Sequence, residues 1–181
     1  MIYLLILMAA LCRLMPHPMN FTPVLAIALF SGAMLPRRIA WLLPIATMLL
    51  SDVCLLYILS YPFSRMTLVV YSCFLLSVGL GCLLREKRTW RRTLTVTFAG
   101  SLMFYLITNF AVWLGPASPP LRYEHTAAGL ARCYIMTLPF FRNAVAGDLL
   151  WTTALFGLFD LAQTAARTPR TAAVYKRHNM V

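Results

Sequence analysis

Residues 66–92 read MTLVVYSCFLLSVGLGCLLREKRTWRR, an apolar run that ends at 84 and is followed at once by a basic stretch from 85 to 92. An apolar run of this length predicts a helix that crosses a membrane, because about 20 helical residues span the hydrocarbon core. The basic stretch predicts the loop that follows the helix on one side of the bilayer. The same alternation of apolar runs and basic gaps extends in both directions along the chain.

We therefore expect an all-α membrane protein with six transmembrane helices, at about residues 1–14, 23–35, 39–59, 66–84, 93–114 and 143–162. A shorter helical stretch is expected at about 126–138, and short or irregular connections join the helices on the outer side. Residues 1–162 then form a single transmembrane domain, and residues 163–181 a basic tail that we expect to be disordered. The run Met1–Leu11 lacks the basic n-region of a signal peptide, so we interpret it as an uncleaved first helix.

The sixteen Lys and Arg residues are distributed unevenly between the two sides of these helices. One side collects eleven of them: Arg37, Arg38, Arg85, Lys87, Arg88, Arg91, Arg92, Arg167, Arg170, Lys176 and Arg177. The other side has five: Arg13, Arg65, Arg122, Arg132 and Arg142. Since cytoplasmic loops carry the excess of Lys and Arg, we expect a bacterial inner-membrane protein with both termini in the cytoplasm. The same rule and contact with anionic lipid headgroups account for the net charge of +11, so we expect no nucleic-acid binding.

Several kinds of site are not indicated by the sequence. The five cysteines are odd in number and lie mostly inside apolar runs, which argues against a disulfide framework. No second histidine lies near His17, which argues against a zinc site. There is no Gly-rich phosphate loop and no nucleophile elbow, so we expect neither an ATPase nor a hydrolase, and no intrinsic cofactor.

Two carboxylates, Asp52 and Asp148, lie in the outer halves of predicted membrane helices. An ionised carboxylate near the bilayer centre costs about 2.5–3.5 kcal/mol, so each requires a partner or a function. Arg142 is expected at a similar depth. One interpretation is therefore structural, with Arg142 neutralising Asp148 or Asp52 in an ion pair.

The alternative interpretation is a ligand pocket that opens outward. His17, Asn20, Tyr71 and Asn109 also belong to the outer connections or the outer ends of helices, and polar groups from separate segments at one depth are typical of a binding pocket. Its apolar walls would come from aromatic residues of the same region: Phe21, Tyr105, Trp113 and Phe141.

Six motifs along the chain carry a family resemblance. They are Pro16-His17-Pro18-Met19-Asn20-Phe21-Thr22-Pro23, Ser51-Asp52, Thr108-Asn109-Phe110-Ala111-Val112-Trp113, Gly129-Leu130 to Cys133-Tyr134, Pro139-Phe140-Phe141-Arg142-Asn143 and Gly147-Asp148-Leu149-Leu150. Over about residues 10–160 the chain resembles the S components of energy-coupling-factor (ECF) transporters, and within them it is similar to the BtuM group of cobalamin S components. The resemblance implies a six-helix protein that binds its substrate, a vitamin such as cobalamin, in an outward-facing pocket.

The resemblance also implies roles for individual residues. His17, Asp52, Tyr71 and Arg142 match positions around the ligand, and the small residues Ala28 and Gly32 would face an ECF coupling module. The cysteine that binds cobalt in the cobalamin group falls close to residues 64–66, where this chain has none. Met66 or Cys73 would then replace it, or the ligand is not a corrinoid.

From the residues and the resemblance together, we expect the substrate-binding component of a transporter that takes up a small nutrient from the outer side. Arg142 and His17 would hold polar or anionic groups of the ligand and Asp52 would orient one of them, while Asn109 supplies hydrogen bonds and Trp113 an apolar wall. Two alternatives stay open. One is a scaffold protein without a ligand, and the other is an intramembrane enzyme that modifies a lipid or cofactor, with His17 and Asp52 as acid and base.

Overall fold

The computed structural model describes residues 20–59, 64–115 and 123–178, with side chains as far as residue 166 of the last helix. The described residues form six helices joined by short connections, with no strand among them. The helices are α1 (Val24–Met34), α2 (Arg37–Ala40), α3 (Leu42–Leu59), α4 (Arg65–Cys82), α5 (Trp90–Leu114) and α6 (Ala127–His178). The predicted first helix and His17 lie outside the described residues.

Four segments of this part of the chain are long and apolar enough to cross a membrane: Arg37–Ile58, Arg65–Cys82, Trp90–Leu114 and Ala127–Ala166. The fold is thus all-α with membrane-type helices, as predicted, but six spans are not confirmed. Between residues 20 and 36 the apolar helix α1 is too short to count as a span, since its 11 residues rise only about 16 Å.

Helix α1 forms the centre of the bundle. Residues Val24 to Gly32 are all buried, because the helix is apolar on every face and the longer helices surround it. It packs most closely against α4, where a Cβ atom placed on Gly32 would lie 2.1 Å from the Val78 carbonyl oxygen. Gly81 makes the reciprocal approach to Leu29. Ala28 and Gly32, which we expected to face a coupling module, are therefore covered by α4 of the same chain, because the glycines let these two backbones meet.

Local sequence determines where the spanning helices begin. Thr89 caps α5, its hydroxyl accepting a hydrogen bond from the Arg92 backbone N–H at 3.3 Å. Pro44 falls in the first turn of α3, where a missing N–H is tolerated. The α3 helix is preceded by the separate turn α2, so the span predicted at 39–59 is divided at Trp41.

Helix α6 differs most from the prediction. We expected a break between the stretch 126–138 and the last helix, but the helix continues through Pro139. Packing on α5 explains this continuity. Tyr134 donates to the Leu106 carbonyl before the proline at 2.8 Å, and Phe141 stacks on Tyr105 after it. Because a neighbouring helix holds both sides, the loss of one backbone hydrogen bond at proline is tolerated. The helix also runs on to His178, where we expected a disordered tail.

The end of the bundle that carries the basic 85–92 connection is closed by polar contacts. Arg85 Nη2 donates to the Leu35 carbonyl at 2.6 Å, which joins the end of α4 to the end of α1. Arg88 forms a bidentate ion pair with Asp160 of α6, and its guanidinium lies 5.5 Å from the centre of the Phe156 ring. These contacts fix the basic connection against the last helix.

Candidate functional site: a cavity above the short central helix

A cavity of about 540 Å³ occupies the half of the bundle that α1 does not reach. It is bounded by the first turn of α1, the second half of α3, the first half of α4, the second half of α5 and the part of α6 around Pro139. These segments all lie at the end of the bundle opposite the basic 85–92 connection. Since α1 is about half as long as the roughly 30 Å hydrocarbon core, it fills only one half of the bundle centre, and the cavity occupies the other.

The lining combines polar groups with aromatic rings. The polar lining residues are Asn20, Thr22, Asp52, Ser64, Thr67, Ser101, Tyr105, Thr108, Asn109, Thr137 and Asp148, and the aromatic ones besides Tyr105 are Phe74, Phe104, Phe140 and Phe141. A concave, mostly apolar site with a few convergent polar groups is typical of small-molecule pockets, and its volume falls within their usual range of about 300–1,000 Å³.

Asp148 lies at the deep end of this cavity. Its side chain is buried, with 6% of its surface exposed, and its Oδ2 accepts a hydrogen bond of 2.7 Å from the Ser101 hydroxyl. Ser101 is near the middle of α5, so the carboxyl group lies near the middle of the membrane-type helices. Gly147 brings α6 against the chain just before α1, where its Cβ would lie 3.1 Å from the Cα of Phe21.

The first turn of α1 lies at the cavity floor. Val24 and Leu25 line the cavity floor, and Pro23 at the helix start makes no side-chain capping bond. The positive end of a helix dipole stabilises a nearby anion by about 0.3–1 kcal/mol, which is smaller than the roughly 2.5–3.5 kcal/mol that an ionised carboxylate costs at the bilayer centre. The helix end alone therefore does not offset the cost of an ionised Asp148.

Asp52 lies on the opposite wall, on α3. The Tyr71 hydroxyl of α4 donates to its Oδ2 at 3.0 Å. Tyr71 itself is outside the lining, so it acts on the cavity through Asp52. The pair ties α3 to α4 and fixes the direction of the carboxyl group.

The wall formed by α5 and α6 is rigid and aromatic. The rings of Tyr105 and Phe141 stack with centres 4.5 Å apart and an angle of 29° between their planes. The Tyr105 hydroxyl donates to the Tyr134 carbonyl at 2.6 Å, which ties α5 to α6. Asn109, one turn further along α5, donates through its amide nitrogen to the Tyr105 carbonyl at 2.8 Å. This hydrogen bond holds the Asn109 side chain against α5, and the residue also lines the cavity.

The structure brings together seven of the residues selected from the sequence: Asn20, Asp52, Met66, Tyr105, Asn109, Phe141 and Asp148. Asn20 has the positive backbone angle φ of 65°, a conformation that asparagine tolerates better than most residues. It turns the chain into α1 at the cavity edge. These residues line one cavity but lie at different depths, since Asp148 pairs with Ser101 near the middle of α5 and Asn109 lies two turns further along that helix.

Arg142 does not line the cavity. Successive helical residues are rotated by about 100°, so Arg142 lies about 160° around α6 from the lining residue Ala144. Its side chain is exposed, and in the part of the chain that the structure describes it forms no ion pair with Asp148. The ion pair that the structure does describe, Arg88 with Asp160, lies at the other end of the bundle.

Trp113 and Cys73 also lie outside the lining. Trp113 lies twelve residues after Ser101 on α5 and is therefore rotated by about 120° from it around the helix axis. Val112 lines the cavity at this level instead. The Trp113 indole instead donates to the Glu124 carbonyl at 2.9 Å. Cys73 is fully buried on another face of α4, so of the two suggested cobalt ligands only Met66 reaches the cavity. Among the described residues no three His, Cys, Asp or Glu side chains form a metal-binding group.

Sequence reasoning missed the phenylalanines Phe74, Phe104 and Phe140 as walls, and Ser101 as the partner of Asp148. The signal was present in the helical spacing. On α5 the residues 101, 104, 105, 108, 109 and 112 repeat at three and four positions, which places them on one face.

Comparison with known proteins shows one family relationship. A family profile, described as a family of unknown function (DUF6580), matches residues 1–171. The chain belongs to the DUF6580 family. No curated protein and no solved structure matches this DUF6580 chain.

Proposed function

We propose that this DUF6580 protein is the substrate-binding component of a membrane transporter, which takes a small nutrient into its cavity from the outer side of the bacterial inner membrane. The observation that carries the proposal is the cavity of about 540 Å³ above α1, with polar groups from five segments converging on it. A protein that only spans the membrane has no need for such a cavity, since packed interiors contain few voids larger than a water molecule.

The orientation follows from charge. The cavity is at the end opposite the basic 85–92 connection, and basic connections stay in the cytoplasm. We infer that the cavity opens outward and that both termini are cytoplasmic. The resemblance to ECF S components supports the same direction of uptake. A coupling partner would contact the outward faces of the spanning helices, because α4 covers Ala28 and Gly32.

Vitamins smaller than cobalamin fit the cavity best. A complete cobalamin is a corrin macrocycle that carries a nucleotide arm, and it exceeds the drug-sized ligands for which a cavity of this volume is typical. A corrinoid would bind with part of the molecule outside the cavity mouth, and Met66 would be the side chain available to its cobalt.

The proposal is tested by calorimetry on the detergent-purified protein with a vitamin panel that includes cobalamin and cobinamide. We expect one compound to bind and its affinity to fall at least tenfold when Phe141→Ala removes an aromatic wall, because truncation of a buried aromatic contact costs more than about 1.4 kcal/mol. Arg142→Ala is the matched control. It changes the next residue on the outward face of the same helix and is expected to leave binding unchanged.

A specific observation also favours the scaffold alternative. Asp52 with Tyr71 and Asp148 with Ser101 are hydrogen bonds between helices, which is what a purely structural role requires. If folded protein binds no compound of the panel, the scaffold function replaces the transporter. Conversion of a compound into a product without transport would instead favour the intramembrane enzyme.

A further inference from the structure

The charged groups among the described lining residues of the cavity have one sign. Among the described lining residues, Asp52 and Asp148 are carboxylates, and there is no lysine, arginine or histidine. Asp52 is held by Tyr71 on one wall. Asp148 is the deeper of the two and is the one on which the inference rests.

Among the described residues, the contacts of Asp148 include no cation. The Ser101 hydroxyl at 2.7 Å is a neutral donor. No basic side chain in the described part of the chain pairs with this carboxylate, and Arg142, the nearest arginine in sequence, is on the other side of α6. A carboxylate at this depth in a membrane protein generally serves a ligand, an ion or a proton pathway.

An aromatic surface lies directly above this carboxylate, toward the cavity mouth. Tyr105 is one helical turn beyond Ser101, about 6 Å along the axis, and Phe141 is two turns from Asp148. Their rings form the stacked pair described above. Aromatic rings attract cations and also cover apolar groups, so a carboxylate and a ring pair at this spacing complement a molecule with one charged end and an apolar body.

We propose that the ligand is an organic cation, whose protonated amine binds Asp148 while its apolar body lies against Tyr105 and Phe141. This inference rests on the proposed function and adds the chemical class of the ligand to it. No covalent step is involved. The ligand supplies the positive charge that the described residues around Asp148 do not provide.

The test uses three compounds of nearly the same shape: 2-phenylethylammonium, 2-phenylethanol and 3-phenylpropionate. They are titrated into the full-length protein in nanodiscs of neutral phosphatidylcholine, so that cations are not attracted to anionic lipid. Binding is followed by saturation-transfer NMR and by calorimetry. Compounds of this size bind in the millimolar range, so the titrations extend to about 50 mM.

We expect the ammonium compound to bind about tenfold more tightly than the alcohol, and the carboxylate compound to bind weakest. Asp148→Asn keeps the size of the side chain and is expected to reduce the preference for the ammonium over the alcohol to less than about threefold. Glu86→Gln is the matched control, since it removes one exposed negative charge at the far end of the bundle. That variant is expected to retain the full preference.

Equal or tighter binding of the alcohol or the carboxylate compound to wild-type protein overturns the inference, and so does a preference that survives Asp148→Asn. If such binding is lost in Phe141→Ala, the cavity is a binding site and only the charge of the ligand is wrong. If none of the three compounds binds to folded protein, the ligand class is wrong, and the binding function fails as well only if no compound of the vitamin panel binds. The wild-type series decides by itself if Asp148→Asn does not yield folded protein.

Discussion

The contact between α1 and α4 gives the sharpest test of this fold. In Gly32→Ala the new Cβ would lie 2.1 Å from the Val78 carbonyl oxygen and 3.0 Å from the Cα of Gly81. These are backbone atoms, so no side chain can rotate away. To restore ordinary contact at about 3.4 Å, the two helices must separate locally by about 1.3 Å. Overpacking of this kind costs about 1–3 kcal/mol.

The assay is thermal unfolding of the purified protein, followed by tryptophan fluorescence. A loss of 1 kcal/mol lowers Tm by roughly 2–4 °C in a chain of this size, so Gly32→Ala is expected to lower it by about 2–12 °C. Gly79→Ala is the matched control on α4, because a Cβ there has no neighbour within 4 Å and alanine favours a helix. If Gly32→Ala unfolds at the wild-type temperature, or if Gly79→Ala is destabilised as much, the close packing of α1 on α4 is wrong.

Three further predictions concern the ends of the bundle. Asp160→Asn removes the ion pair between Asp160 and Arg88, in which the Asp160 side chain is 35% exposed and the Arg88 side chain 24% exposed. It should lower the free energy of unfolding by about 1 kcal/mol or less, and a difference that persists in 1 M salt would argue against an electrostatic origin. Tyr134→Phe removes one hydrogen bond between α5 and α6 and should cost about 0.6 kcal/mol in unfolding experiments; a change above about 2 kcal/mol would mean that the ring packing was also disturbed. A membrane-impermeant maleimide should label Glu124→Cys but not Glu86→Cys in intact cells above the wild-type background, and the reverse pattern would invert the topology.

The sequence was sufficient to predict much of this architecture, because its strongest signals are physical necessities of a membrane. Runs such as 66–84 are apolar because the side chains of a membrane-spanning helix face lipid hydrocarbon, and basic stretches separate these runs. Polar residues within such runs are costly. Polar residues in the outer half of the bundle were therefore informative, and they pointed to Asn20, Asp52, Asn109 and Asp148, which all line the cavity.

Direction around a helix was harder to predict than depth. Arg142 and Trp113 lie on helix faces that do not reach the cavity, because each helical residue is rotated by about 100° from the one before it and a position along the helix does not give its face. The identity of a neighbour was also hidden. The small residues Ala28 and Gly32 indicate that another helix approaches closely, but they do not say that it is α4 of the same chain. The break expected between residues 138 and 143 does not occur, because the helix on both sides of Pro139 contacts α5, and the local sequence does not encode those contacts.

The existence of the cavity depends on where α1 begins. Pro23 precedes its first residue, and Pro16 and Pro18 follow at short intervals upstream. If α1 extended toward the cavity mouth, Pro23 would fall inside the helix, where it removes a backbone hydrogen bond and clashes with the preceding turn. An uninterrupted helix here would fill the space between α3, α5 and α6 with side chains. Pro23 therefore limits the central helix to half the depth of the bundle, and the glycines of α1 and α4 hold that half in place. The cavity is the space that the short helix leaves, and Asp148 lies at its floor because α6 passes the beginning of α1 at Gly147.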